Sequence, residues 1–155
     1  MAEHEANAGV RVPPPIIYLG GFLVGWLMQA MTPLPGLDEP LDLVIGITLL
    51  LLGFALVVPS ALLFIRAGTN LPPHQPTTAL VFSGPYRFTR NPIYLGFTLI
   101  YAGAALWSSI TWALLVLVFV VIVVDRAVIA REERYLTKRF GEEYLGYKAR
   151  VRRWL

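Results

Sequence analysis

The chain has 155 residues, of which 56% are hydrophobic and only 15% are charged, and its formal net charge is +3. Soluble domains carry about 25% charged residues, so this composition predicts a single-domain integral membrane protein built as a small helical bundle. The absence of cysteine excludes disulfides and thiolate metal sites, and the two histidines, His4 and His74, lie too far apart in the sequence to form a metal-ligand pattern.

Four apolar segments follow one another along the chain and predict four transmembrane helices. The second segment is long enough to cross a membrane, which takes about 20 residues, whereas the third segment is shorter than this. Only two serines separate the third segment from the fourth, so we expect these two helices to form a tight antiparallel hairpin. A β-barrel is not indicated, because it needs many segments of alternating hydrophobicity. The predicted spans are 16–31, 41–65, 92–107 and 110–130.

A loop and a tail make up the rest of the predicted fold. The loop, residues 66–91, joins the second and third spans, and the tail, residues 131–155, follows the fourth. We expect the fourth helix to continue as a more polar helix to about Phe140, with Gly141 as a candidate residue just past its end. The tail is basic and amphipathic, which is typical of a surface helix attracted to anionic lipid headgroups. The sequence therefore predicts an all-α integral membrane fold, with four transmembrane helices and a cytoplasmic C-terminal amphipathic helix in one domain, 1–155.

The positions of Lys and Arg predict the orientation in the membrane. Neither the loop 32–40 nor the turn between the third and fourth spans contains a basic residue. The loop 66–91 and the chain from Arg126 onward do contain them, and Arg11 precedes the first span. With four crossings, all thirteen basic residues fall on one side, which the positive-inside rule assigns to the cytoplasm. We therefore expect a multi-pass membrane protein with both termini in the cytoplasm.

The stretch that leads into the third span is rich in arginine, tyrosine and proline. Asn91 and Pro92 are typical of a helix N-cap and first helical residue, and Tyr94 suits an interfacial aromatic position. These roles do not explain Arg87 and Arg90. Two guanidinium groups beside a helix N-terminus favour an anion such as a carboxylate or phosphate. Spacing alone leaves open whether this stretch binds a ligand or only starts a helix.

A charged cluster follows the fourth span and contains Asp125, Arg126, Glu132 and Glu133. Charge pairs at i,i+3 and i,i+4 on a solvated amphipathic helix would account for it. Near the edge of the hydrocarbon layer, however, paired carboxylates are costly unless cations match them. A cationic ligand would provide such a match, so the cluster fits either a solvated helix or a binding site.

Two blocks of the sequence resemble the signature of the isoprenylcysteine carboxyl methyltransferase and phospholipid methyltransferase superfamily. The blocks occur in the family's order, are separated by a helical hairpin as in the family, and cover roughly the second half of the chain. The first block comprises Leu80-Val81, Gly84-Pro85-Tyr86-Arg87 and 90–96, and the second comprises Glu132-Glu133, 140–144, Tyr147 and Val151.

The resemblance implies an integral membrane enzyme that transfers a methyl group from S-adenosylmethionine to a lipid-borne or small apolar acceptor. The cofactor would lie between the loop and the tail helix. The favoured acceptor is an isoprenylcysteine-type carboxylate. The implied partners are membrane lipids and a lipid-like or prenylated small-molecule acceptor, and no nucleic acid partner is indicated.

Matching motif positions also imply the site residues. Glu133 would lie behind Glu132. Val128 stands where family members often carry an arginine for the acceptor, and the nearby Arg126 is our candidate for orienting an anionic acceptor, so Arg126 and Glu133 are the expected catalytic residues. Asn91 stands where the family often has histidine. The expected cofactor-binding residues, with Arg87 and Arg90 added for the methionine carboxylate, are Thr78, Ala79, Leu80, Val81, Tyr86, Arg87, Arg90, Asn91, Pro92, Ile93, Tyr94 and Glu132.

Two other hypotheses account for parts of the sequence. An NADPH-dependent membrane reductase of the sterol type has a similar motif of arginine, asparagine or histidine, proline and tyrosine, although such enzymes are usually much longer. The other hypothesis is a non-enzymatic membrane scaffold with a lipid-binding basic tail. NADPH would stabilise the reductase, whereas neither NADPH nor S-adenosylmethionine would stabilise the scaffold.

Overall fold

A computed structural model describes residues 8–10, 12–37, 39–70 and 77–155. These residues form helices, turns and loops without a strand, which confirms the predicted all-helical class for this part of the chain. Three residues used in the sequence interpretation, His4, Arg11 and His74, lie outside the described residues. The helices are α1 (Pro14–Met31), α2 (Leu41–Arg66), α3 (Pro92–Trp107), α4 (Thr111–Val123), α5 (Ala130–Phe140) and α6 (Glu142–Arg150).

Two shorter elements complete the fold. A 3-10 turn, Gly84–Arg87, precedes α3, and a π-helical segment, Val124–Ile129, joins α4 to α5. In the described part of the chain, three helices are long and apolar enough to cross a membrane, namely α1, α2 and the continuous helix Thr111–Phe140. The third predicted span corresponds to α3, which is apolar but only 16 residues long.

α3 is the central helix of the bundle. Its large apolar side chains are buried or partly buried except Trp107 at its end. In contrast, the outer faces of α1, α2 and α4 expose many large apolar side chains, among them Leu51 (65% exposed) and Phe119 (70% exposed). An apolar outer surface is what a lipid environment permits, because lipid tails are as apolar as these side chains.

Paired glycines bring α2 and α3 together in antiparallel orientation. Gly53 faces Gly96, and Gly46 faces Gly103. A Cβ atom on Gly53 would lie 2.7 Å from the carbonyl oxygen of Gly96, and one on Gly96 would lie 2.8 Å from that of Gly53. Small residues of this kind let two membrane helices approach at backbone distance.

α1 lies against both α3 and α4. Gly25 of α1 meets the backbone of Ala113 in α4. The hydroxyl of Tyr18 in α1 donates to the carbonyl of Tyr94 in α3 at 3.1 Å, and the Tyr18 ring packs edge-on against Phe97. α1 and α3 therefore begin at the same end of the bundle.

The two ends of the bundle differ in chemistry. At one end, the loop after α1 meets the turn between α3 and α4. There Trp112 Nε1 donates to the carbonyl of Thr32 at 2.7 Å, and Ser109 donates to Asp42. At the other end, the amide of Arg90 donates to the carbonyl of Arg152 at 3.0 Å. This contact brings the loop before α3 and the C-terminal tail to one face, where most of the predicted site residues lie.

Candidate functional site

A cavity of about 330 Å³ opens at this face. Its walls come from the start of the chain, the loop before α3, the start of α3, and α5 and α6. Its volume falls within the range of about 300–1,000 Å³ that is usual for small-molecule sites. The predicted site residues that line it are Ala79, Leu80, Val81, Tyr86, Arg90, Asn91, Pro92, Ile93, Tyr94, Glu132 and Glu133.

Three predicted site residues do not line the cavity. Arg126 has a side chain that is 83% exposed and lies 3.7 Å from Asp125, because the π-helical segment turns it away from the bundle. Arg87 is exposed at the end of the 3-10 turn. Thr78 is exposed as well, and its hydroxyl donates to the carbonyl of Gly68 at 3.1 Å. Apart from these three, the residues that the resemblance selected converge on one cavity.

Tyr94 and Glu132 connect α3 to α5 across the cavity. The Tyr94 hydroxyl donates to Glu132 Oε1 at 2.6 Å. Both side chains line the cavity. A short hydrogen bond to a carboxylate is stronger than one between neutral groups, so it holds the Glu132 carboxylate in a fixed position in the wall.

Glu133 is the most heavily matched carboxylate of the site. It is 5% exposed. Arg153 donates to it twice, from Nε at 3.0 Å and from Nη2 at 2.8 Å. Arg90 lies 3.3 Å and Lys148 3.5 Å from its oxygens. A buried charge needs partners of this kind, so the cation match expected for the paired carboxylates comes, for Glu133, from the protein itself.

The guanidinium of Arg90 has two nitrogen donors that do not bind Glu133. Its side chain is 9% exposed, and only its Nη2 approaches Glu133. Its Nε and Nη1 are buried and have no hydrogen-bond partner among the described residues, although the Tyr144 side chain also interacts with the guanidinium. Leaving buried charged donors unsatisfied is costly, and Arg90 lines the cavity. This arrangement suits an anionic group in the cavity.

Asn91 differs from its expected role as a helix cap. It occupies the N-cap position of α3, but its side chain makes no capping hydrogen bond. Its Nδ2 instead donates to the carbonyl of Arg153 at 2.9 Å. The side chain is therefore committed to a tertiary contact with the tail.

Tyrosines from the tail close the cavity. Tyr144 and Tyr147 of α6 line it, and the Tyr147 hydroxyl donates to the carbonyl of Tyr86 at 2.7 Å. Burial raises the pKa of Tyr144 to about 12 and also raises the pKa of Tyr147 and of Tyr86. These hydroxyls are therefore neutral and able to donate at physiological pH.

Sequence analysis missed Arg153 as part of the site. Besides Glu133, its Nη1 donates to both oxygens of Asp125, at 3.2 and 3.1 Å. Arg150 and Arg152 lie nearby in the same basic tail, so composition gave no reason to single out Arg153. Arg153 differs from its neighbouring arginines only in the folded chain, where the tail returns to the start of α3.

The model of the phospholipid methyltransferase family matches residues 41–143, which is more than half of the chain. This chain belongs to the phospholipid methyltransferase family. The match confirms the resemblance noted from the two sequence blocks. Membership in the family implies methyltransferase activity, and together with the three apolar helices it indicates a membrane protein.

A curated relative also matches part of this chain. An uncharacterized protein of Haemophilus influenzae is 43% identical over 63 residues, which is 41% of this chain and 100% of that protein. No solved structure matches the chain significantly. The family match ends at Glu143, so the cavity residues Tyr144 and Tyr147, like Arg153, lie beyond it.

Proposed function

We propose that this protein transfers a methyl group from S-adenosylmethionine to a lipid-borne or small apolar acceptor, and that the cofactor binds in the cavity described above. The observation that supports this most is Arg90, which lines the cavity in a member of a methyltransferase family and has two buried donors without a hydrogen-bond partner among the described residues. An anionic ligand stabilises such a guanidinium, and the cofactor has a carboxylate at its methionine end.

The other walls of the cavity fit the rest of the cofactor. Glu132 offers a carboxylate to an ammonium group or to ribose hydroxyls. Phe64 and Tyr86, whose ring centroids are 5.5 Å apart, and Phe82 offer aromatic surface for an adenine ring. An anion-binding group, a carboxylate and an aromatic wall therefore meet in one cavity of suitable volume.

When bound, S-adenosylmethionine supplies an electrophilic methyl group on its sulfonium. The residues of the chain contribute binding, orientation and exclusion of water. Arg90 holds the carboxylate end, Tyr94 keeps Glu132 in place, and the apolar walls exclude water from the reacting groups.

We infer that α3 is a fourth span, so that the chain crosses the membrane four times. Its 16 residues are about 24 Å long at 1.5 Å per residue. The segment before it extends this length, because Gly84 and Tyr86 pack against Leu63 and Phe64 near the end of α2. The cavity would then face the cytoplasm, on the side of the basic residues.

The acceptor of this proposal is a lipid-borne or small apolar molecule that reaches the cavity from the membrane. The sequence favoured an isoprenylcysteine-type carboxylate, with Arg126 to orient it. Arg126 is exposed, and Arg90 is the one Lys or Arg that lines the cavity within the described ranges. A carboxylate acceptor would compete with the methionine carboxylate for Arg90, so an acceptor without a negative charge fits this cavity better.

Binding of S-adenosylhomocysteine to purified protein tests the proposal. We expect Arg90→Met to weaken binding about tenfold or more, because a hydrogen bond to a charged group contributes about 1.5–3 kcal/mol. Arg87→Met is the matched control, since Arg87 is exposed and lies outside the cavity. Isothermal titration calorimetry measures both.

Three results would contradict the proposal. The first is wild-type protein that does not bind S-adenosylhomocysteine. The second is equal affinity in the two arginine variants. The third is a melting temperature that rises with NADPH and not with S-adenosylhomocysteine, which would favour the reductase.

A further inference from the structure

The last residues of the chain return to the start of α3. The carbonyl of Arg152 accepts from the amide of Arg90 at 3.0 Å. The carbonyl of Arg153 accepts from Thr89 Oγ1 at 3.1 Å and from Asn91 Nδ2 at 2.9 Å. Three consecutive residues of the loop are thus bound to two consecutive carbonyls of the tail, and two of the three, Arg90 and Asn91, line the cavity.

The side chain of Arg153 binds two acidic residues on the continuous helix Thr111–Phe140. Its guanidinium donates twice to Glu133 of α5 and twice to Asp125 of the π-helical segment, at 2.8–3.2 Å. Trp154 adds a bond from Nε1 to Asp125 Oδ1 at 2.9 Å. Paired bonds from a planar guanidinium fix the orientation of a carboxylate as well as its position.

Arg153 does not line the cavity itself. It contacts residues that do, and its contact with Glu133 bears on Arg90. Arg153 supplies two donors to the Glu133 oxygens, and Arg90 supplies one nitrogen at 3.3 Å. Without Arg153, the cationic partners left to the buried Glu133 would be Arg90 at 3.3 Å and the exposed Lys148 at 3.5 Å, which would draw Arg90 further toward Glu133. Arg90 would then be less available to a ligand.

We propose that Arg153 is a positioning residue of the cofactor site, which orients Asn91 through its carbonyl and keeps Arg90 available for an anionic ligand by holding Glu133. The inference rests on the proposed function, because the ligand whose affinity Arg153 sets is S-adenosylmethionine. It also makes the segment 151–154 part of the site, although this segment lies beyond the region that the family model matches.

Binding of S-adenosylhomocysteine to Arg153→Met protein tests this role. We expect the Kd to rise about tenfold, since residues that share one salt-bridge network couple by about 0.5–3 kcal/mol. Arg152→Met is the matched control, because Arg152 is the adjacent, exposed arginine whose backbone contact does not depend on its side chain. We expect its Kd to stay within about twofold of the wild type.

A Glu133→Gln background separates positioning from a general loss of stability. If Arg153 acts through Glu133, Arg153→Met raises the Kd much less in that background than in the wild type. Arg153→Lys keeps the charge without the planar fork, so its Kd should lie between those of the wild type and Arg153→Met. This variant also provides the measurement if Arg153→Met does not fold.

The outcomes distinguish the two proposals. Wild-type protein that does not bind S-adenosylhomocysteine contradicts the proposed function and, with it, this inference. Wild-type binding together with an Arg153→Met or Arg153→Lys affinity equal to that of Arg152→Met contradicts the inference alone. An effect of Arg153→Met that is unchanged in the Glu133→Gln background also contradicts it, because Arg153 would then not act through Glu133.

Discussion

The hydroxyl of Tyr94 and the carboxylate of Glu132 meet at 2.6 Å, although 38 positions separate the two residues in the sequence. At the scale of single residues, hydrogen bonds of this kind between distant parts of the sequence hold the site together. Glu133 is held in the same way by Arg153, and Asn91 by the carbonyl of that residue. Arg90 also lies against Glu133, but two of its donors have no hydrogen-bond partner in the described part of the chain.

Tyr94→Phe should destabilise the protein, because it removes the hydroxyl that donates to Glu132. We expect a loss of about 1–3 kcal/mol in the free energy of unfolding, seen as a lower melting temperature in detergent. Tyr101→Phe is the matched control, since the Tyr101 hydroxyl is buried without a hydrogen-bond partner among the described residues. A larger loss in Tyr101→Phe than in Tyr94→Phe would contradict the account of this bond.

Sequence alone could select many of the cavity residues but not their partners. The arginine-asparagine-proline stretch and the paired glutamates drew attention because they are polar groups at the ends of apolar segments. The bond from Asn91 to Arg153 joins residues 62 positions apart, so no local pattern reports it. For the same reason Asn91 was expected to cap α3, and Arg153 was not distinguished from its neighbours.

At the scale of helices, glycine pairs decide how closely α2 and α3 approach. Gly96→Ala should be destabilising, because the added Cβ would lie 2.8 Å from the carbonyl oxygen of Gly53. Overpacking of this kind costs about 1–3 kcal/mol. Thermal unfolding in detergent measures the loss.

Gly20→Ala is the control for this prediction. A Cβ atom on Gly20 would meet nothing within 4 Å, and alanine is better than glycine inside a helix by about 0.5–1 kcal/mol. We therefore expect an unchanged or higher melting temperature. If both alanine variants melted at the same temperature, the glycine pairs would not govern the packing of α2 on α3.

The start and end of the apolar helices were predictable, because long apolar runs bounded by proline and polar residues fix them. The division of the tail was predictable as well, because a more polar helix was expected to continue to about Phe140 with Gly141 just past its end. α5 ends at Phe140, and Gly141, which has φ +52°, separates it from α6. The π-helical segment before α5 was not predicted, since the apolar pattern continues through it and its form depends on tertiary contacts.

At the scale of the whole molecule, the chain has an apolar outside, a central α3, and at one end a largely apolar cavity that also contains charged side chains. The orientation prediction depended on four crossings, whereas the described chain contains three helices of membrane length. The position of α3 between α1, α2 and α4 supports the fourth crossing, because a helix buried in the bundle does not itself need a wide lipid-facing surface. The length of α3 alone does not indicate a crossing.

Single cysteines can test the number of crossings, because the natural chain contains none. Ser83 lies before α3 and Ser108 after it, and both are exposed. If α3 crosses the membrane, a membrane-impermeant maleimide added to intact cells labels Ser108→Cys and not Ser83→Cys. In lysed cells it labels both. Equal labelling of the two variants in intact cells would place both ends of α3 on one side and contradict four crossings.

The central claim is that the cavity formed by the loop before α3 and the helices α5 and α6 binds S-adenosylmethionine. Photolabelling tests it most directly: purified protein is irradiated with radiolabelled S-adenosylmethionine, and the labelled peptides are mapped. The account predicts label in 77–94 or 130–150, and its suppression by excess S-adenosylhomocysteine. Label confined to the opposite end of the bundle, in 32–37, 39–40 or 108–112, or label that competitor does not suppress, would contradict this claim.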